Sequence, residues 1–163
     1  MEKGGGFDMS KLSMASKLLL IGGILLLVDS FLQWQRVCAD AGPLGKFCVG
    51  AGGWSGNGGF AGVIMGLLLI AMLVWEGLQV GGVSTNLSVG VSASKLTAYL
   101  GFGAAAFGLL KFILAVSNHG AIFAWIGLVL ILVVAYGSWM KFQEPEGAAS
   151  PPAASGGDSG FTA

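Results

Sequence analysis

The sequence predicts an all-α fold, a four-helix transmembrane bundle with both termini cytoplasmic. Three observations carry that expectation. Hydrophobic residues make up 55% of the chain and charged residues only 10%, against about 25% charged in a typical soluble domain. Mean hydropathy is +0.81. Apolar segments occupy about 18–34, 60–80, 96–116 and 121–140, each long enough to cross a hydrocarbon core of ~30 Å. In a chain of 163 residues, four such helices leave no room for a separate soluble catalytic domain.

Residues 1–17 carry Lys3, Lys11 and Lys17 against Glu2 and Asp8, with a Gly4-Gly5-Gly6 run, and read as a short basic cytoplasmic arm. The transmembrane domain spans 18–142. Its first helix, LLLIGGILLLVDSFLQW, contains one ionisable residue, Asp29. A cleaved signal peptide is not expected, because Asp29, Gln33, Trp34, Gln35 and Arg36 separate the apolar run from the small residues Ala39-Asp40-Ala41. Residues 35–59 read as a polar, glycine-rich outer loop, and 81–95 as a Ser/Gly/Val loop. The turn Ser117-Asn118-His119-Gly120 is short enough to make helices 3 and 4 antiparallel neighbours. The tail, 143–163, is rich in Pro, Ala, Ser and Gly and is expected to be disordered.

Orientation follows from lysine and arginine near the helix ends. With the N-terminus inside, Lys3, Lys11, Lys17, Lys95 and Lys141 fall inside, and Arg36 and Lys46 outside. The Asn86-Leu87-Ser88 sequon is then cytoplasmic and without meaning for glycosylation.

Cys38 and Cys48 are the only two cysteines, and both fall in the outer loop, where disulfides persist. A structural disulfide is expected, closing a loop that it stabilises by roughly 2–3 kcal/mol. Free thiols and a redox pair stay open as alternatives, although catalytic pairs are usually spaced C-x-x-C. Trp54 is expected as an interfacial anchor or as a lid over the bundle.

Ionisable residues inside a membrane are costly and are the usual functional candidates. Asp29, Glu76 and Lys111 are the three here. At 1.5 Å per residue, Asp29 lies about 16 Å from the inner surface and Lys111 about 22 Å. A lysine stem spans most of that gap, so Asp29 and Lys111 are expected to pair in the outer half of the bundle. Glu76 lies about one turn from the inner surface, within reach of Lys95, Lys17 or Lys141. Small residues line each helix, and Gly62, Gly66, Gly101, Gly108 and Gly127 are expected to permit close helix packing. His119 falls in the outer turn and is expected to be solvated.

One histidine and two cysteines cannot build a four-ligand zinc site alone. The chain has no G-x-x-x-x-G-K-[ST] phosphate loop and no H-E-x-x-H. No metal, cofactor or catalytic residue is expected, and the chain reads as a non-enzyme. Net charge is formally zero with no basic run, which argues against nucleic acid as a partner. The expected partners are the lipid bilayer and either further copies of the chain or a membrane protein. A small-molecule substrate cannot be named.

The exit from the first helix, LLLVDSFLQWQRVC, resembles uncharacterised four-helix membrane proteins of actinobacteria and related bacteria. Leu26, Leu27, Phe31, Leu32 and Trp34 match their F-L-x-W exit, and Trp54-Ser55-Gly56 their Trp-Gly-rich segment. The resemblance covers about 18–80 and implies a bacterial plasma membrane location without an activity. Claudin-type proteins also combine four helices with an outer cysteine pair. This chain has Trp34-Gln35-Arg36-Val37-Cys38 where they carry G-L-W shortly before the first cysteine, and its loop is too short for their outer sheet, so that reading is set aside. The functional expectation is a structural or accessory subunit that acts by self- or partner association. The alternative is a small transporter or channel using an Asp29–Lys111 pair.

Overall fold

The computed structural model describes residues 12–40, 42–81, 92–117 and 120–144. The lysines of the N-terminal arm up to Lys11, the sequon, His119 and the tail from 145 lie outside the described residues. The chain is mostly helical, with α1 (Met14–Asp29), α2 (Gly59–Val80), α3 (Ala93–Val116) and α4 (Ile122–Gln143). Three of these, α2, α3 and α4, are long and apolar enough to cross a membrane, which makes this a multi-pass membrane protein.

The bundle closes on itself: α1 packs on α2 and α4, and α3 packs on the same two. Ser16 near the start of α1, Glu76 near the end of α2, Thr97 near the start of α3 and Lys141 near the end of α4 meet at one end. The helices therefore alternate up and down. Leu19, Leu26, Met65, Leu69, Met72, Ile131 and Val134 fill the centre without exposure. Large apolar side chains such as Ile24, Leu25, Leu67, Ile70, Val129 and Leu132 stand exposed around the outside. A water-exposed protein rarely tolerates so wide an apolar surface, whereas lipid-facing helices require one. On α3 the buried face is Thr97, Ala98, Gly101, Ala104, Ala105, Gly108, Lys111 and Ala115. Small residues there let neighbouring backbones approach.

Two sequence expectations need correction. The first helix was placed at 18–34 but runs Met14–Asp29. Ser13 caps its start, with Oγ accepting from Ser16 N–H at 3.2 Å. At its other end the last carbonyls need partners, and local groups supply them. Leu32 N–H and the Trp34 indole N–H both donate to the Asp29 carbonyl, at 2.9 and 3.1 Å. Ser30 Oγ donates to the Leu27 carbonyl at 2.5 Å. The chain thus turns back at Asp29 instead of continuing to Trp34.

The second correction concerns 35–59. It is not merely a loop, because β1 (Gln33–Asp40) and β2 (Lys46–Gly52) pair antiparallel as a hairpin. A short 3-10 turn, Gly42–Leu44, joins them. Gly42 and Gly45 hold φ of 63° and 87°, a left-handed conformation that favours glycine. Asp40 Oδ1 accepts from Gly42 N–H at 3.2 Å, an Asx-type closure of the turn. Cys38 lies directly opposite Cys48 and is bonded to it. One irregularity, between Gln33 and Gln35, marks the root of the hairpin. There the Trp34 carbonyl accepts from Ala121 N–H at 2.8 Å, and Gln35 forms a single bridge to Gly120, so β1 is stitched to the entry of α4.

Candidate functional site

Polar side chains are buried in two layers, one at each end of the bundle. The layer at the end holding both Met14 and Gln143 draws on all four helices. Lys141 Nζ lies 3.0 Å from Glu76 Oε1 and 2.9 Å from Ser16 Oγ. It also lies 3.2 Å from Glu144 Oε2. The Thr97 hydroxyl donates to Glu76 Oε2 at 3.1 Å and accepts from Gln79 Nε2 at 3.0 Å. Glu76 is 1% exposed, so its charge is compensated almost wholly by Lys141 and Thr97. Of the three lysines within reach of Glu76, the structure selects Lys141. Each helix contributes at least one member, so the layer fixes rotation and depth of all four at once.

The opposite layer holds the hairpin on the bundle. Lys111 has no exposed surface. Its Nζ donates to the Ser55 carbonyl at 2.6 Å and to the Asn57 carbonyl at 2.8 Å. Gln35 and Asn57 bond reciprocally: Asn57 N–H donates to Gln35 Oε1 at 3.0 Å and Gln35 Nε2 donates to the Asn57 carbonyl at 3.1 Å. Trp54 Nε1 donates to Ser30 Oγ at 2.7 Å. One ammonium thus grips the segment that joins the hairpin to α2, and that segment grips the hairpin root.

The expected Asp29–Lys111 ion pair does not form. Both residues do lie in this layer, as their depths required. Depth leaves direction around the helix undetermined, however, and the 55–57 backbone turns inward to occupy the ammonium first. Neither carboxylate oxygen of Asp29 has a hydrogen-bond partner, and Asp29 is only 4% exposed. Its carboxyl sits against α4, where a Cβ added at Gly127 would come within 2.8 Å of Oδ2.

The glycines divide into two groups. A Cβ at Gly101 would meet Ser138 of α4 and Met72 of α2, and one at Gly108 would meet Ile131 and Met65. These two serve close helix packing. Gly62, Gly66 and Gly127 first meet the outer segment instead, and Gly127 also meets Asp29 of α1. A Cβ at Gly62 would strike the Gly53 carbonyl, one at Gly66 the Trp54 ring, and one at Gly127 the Trp34 ring. They are sockets for the outer segment, which inserts one indole against α2 and another against α4. Trp34 is completely buried, and Trp54 sits over the α1–α2 seam as a lid. The signal for these sockets was present in the sequence as two tryptophans flanking the cysteine loop.

The hairpin beyond its root is exposed, including Val37, Phe47 and Val49. Among the described residues no group of three or more His, Cys, Asp or Glu side chains converges as metal ligands would. In comparisons with known proteins, the chain matches no protein-family model, no curated protein and no solved structure.

Proposed function

We propose that this chain is a non-enzymatic structural or accessory subunit of a bacterial plasma membrane, and that it acts by association through its outer hairpin. In this reading α1 is the fourth span. Its 16 residues rise about 24 Å, and Ile21, Ile24, Leu25 and Val28 are exposed along it, as a lipid-facing helix requires. The excess of Lys and Arg near the ends of the helices supports cytoplasmic termini. The hairpin then lies outside, where its disulfide persists.

The observation that carries the reading is the contrast between root and blade. Lys111, Trp34 and Trp54 fix the hairpin root, while Val37, Phe47 and Val49 stand exposed on a single cross-strand face. A rigidly held apolar face is what a contact surface requires. Purification of native-level protein in mild detergent, with mass determination, tests this. A homo-oligomer or a stoichiometric membrane-protein partner is expected, and a lone monomer with no partner refutes it.

A second reading, a small transporter or channel, is favoured by one observation, the Asp29 carboxylate without a donor. It predicts that Asp29→Asn folds normally and loses flux in reconstituted vesicles. Under the association reading no such flux exists.

A further inference from the structure

We propose that the free edge of β2 pairs antiparallel with β2 of a second copy of this chain, merging two hairpins into one four-stranded sheet. This rests on the association reading and names its partner.

The sheet contains only β1 and β2 among the described residues. The outer edge of β1 is met at its root by Gly120, whereas no strand among the described residues meets the outer edge of β2. Cys38 and Cys48 have Cα atoms 4.0 Å apart, which marks them as a narrow, non-hydrogen-bonded pair. The N–H and C=O of Cys48 therefore point away from β1. By alternation, so do those of Lys46 and Gly50. Exposed edges are usually blunted by charge, proline or a bulge. Here β2 contains no proline, its one charge, Lys46, stands at the turn end, and the ladder irregularity is confined to the root. Such an edge is a template for strand addition.

The edge also complements itself. A two-fold axis through Val49 sets Cys48 opposite Gly50, and both direct their backbone groups across the gap. It sets Lys46 opposite Gly52, so the two lysines sit at opposite ends. Parallel in-register pairing would stack lysine on lysine, which is unfavourable. It sets Phe47 opposite Ala51, large against small. Ala51 lines a groove of about 300 Å³ with Val37, Val49, Gly56 and Asn57, and Phe47 of the second copy fills it.

The test is photo-crosslinking of the full chain in native-level membranes, with benzoyl-phenylalanine in place of Phe47. Adducts at twice the chain mass, mapping near Ala51, are expected. Val49→Lys sets like charges face to face at the axis and is expected to lower adduct yield at least tenfold. Gly50→Pro removes an N–H that does not bond β1 and is expected to do the same. Formation of the Cys38–Cys48 disulfide and an unchanged melting temperature show that each variant has folded. Dimer adducts that survive both substitutions overturn the pairing. A stoichiometric adduct to a different protein overturns it while leaving the association reading intact. Adducts to lipid alone, with a monomeric mass, overturn both.

Discussion

Replacing Lys141 with Met removes the cation from the one polar layer, among the described residues, to which all four helices contribute. Glu76, at 1% exposure, would keep the Thr97 hydroxyl as its donor and lose its charge partner. Breaking a buried pair from one side costs about 3–5 kcal/mol in soluble proteins. Polar contacts between membrane helices average only about 0.6 kcal/mol. The geometry decides between these figures. Lys141 also meets Glu144, whose side chain is 26% exposed, so water lies near the pair and relieves part of the penalty. The expected loss for Lys141→Met is about 2–3 kcal/mol. Glu76→Gln should cost less, about 1–2 kcal/mol, because Lys141 retains Glu144 and Ser16. The double variant, with neither charge left, should recover at least 1 kcal/mol relative to the sum of the single losses. Reversible unfolding of the purified protein in mixed micelles, followed by helicity, measures all three. Single variants within 0.5 kcal/mol of the parent, or a double variant as costly as the sum, would refute the argument that this layer fixes the helices.

The outer layer gives three further outcomes, and Gly77 at the opposite end of α2 a fourth. Lys111→Met should strip the donor from the Ser55 and Asn57 carbonyls, cost about 1–3 kcal/mol and speed hydrogen exchange in 53–58; adding Asp29→Asn should bring no rescue, since the two side chains do not pair. Gly66→Leu should expel the Trp54 ring, read as a red shift in tryptophan emission with a loss of about 1–3 kcal/mol, whereas Gly77→Ala, with nothing within 4 Å of the added Cβ, should gain up to about 1 kcal/mol from helix propensity. Reduction of Cys38–Cys48 should lower hairpin protection by roughly 2–3 kcal/mol and leave helix exchange rates unchanged.

The helices were legible because runs such as FAGVIMGLLLIAMLVWEGLQV carry almost no charge, and α2, α3 and α4 begin and end within three residues of the expected bounds. The hairpin was less visible, although its signal exists. Val37 and Ala39 alternate with Arg36, Cys38 and Asp40, and Phe47, Val49 and Ala51 with Lys46, Cys48 and Gly50. That period of two on either side of Gly42-Pro43 reads as paired strands, but glycine content masked it. The polar contacts show what depth arithmetic can settle. It put Asp29 and Lys111 in one layer, and Glu76 within reach of Lys141. It gave neither the direction each side chain faces nor the backbone carbonyls of Ser55 and Asn57, which no residue-type pattern announces. Gly62, Gly66 and Gly127 were readable as places where bulk is excluded, and Trp34 and Trp54 as bulky residues flanking the cysteine loop, but no pattern matched either indole to its glycine.

The central claim is that the rigidly held outer hairpin is where this protein meets its partner. Mass photometry of nanodisc-embedded parent and Val49→Asp, prepared side by side, tests it most directly. The account predicts that the parent carries a second chain, either its own copy or a stoichiometric partner. It predicts that Val49→Asp loses that chain while keeping its disulfide and melting temperature. Parent and variant of identical mass, folded and both without a partner, would contradict it.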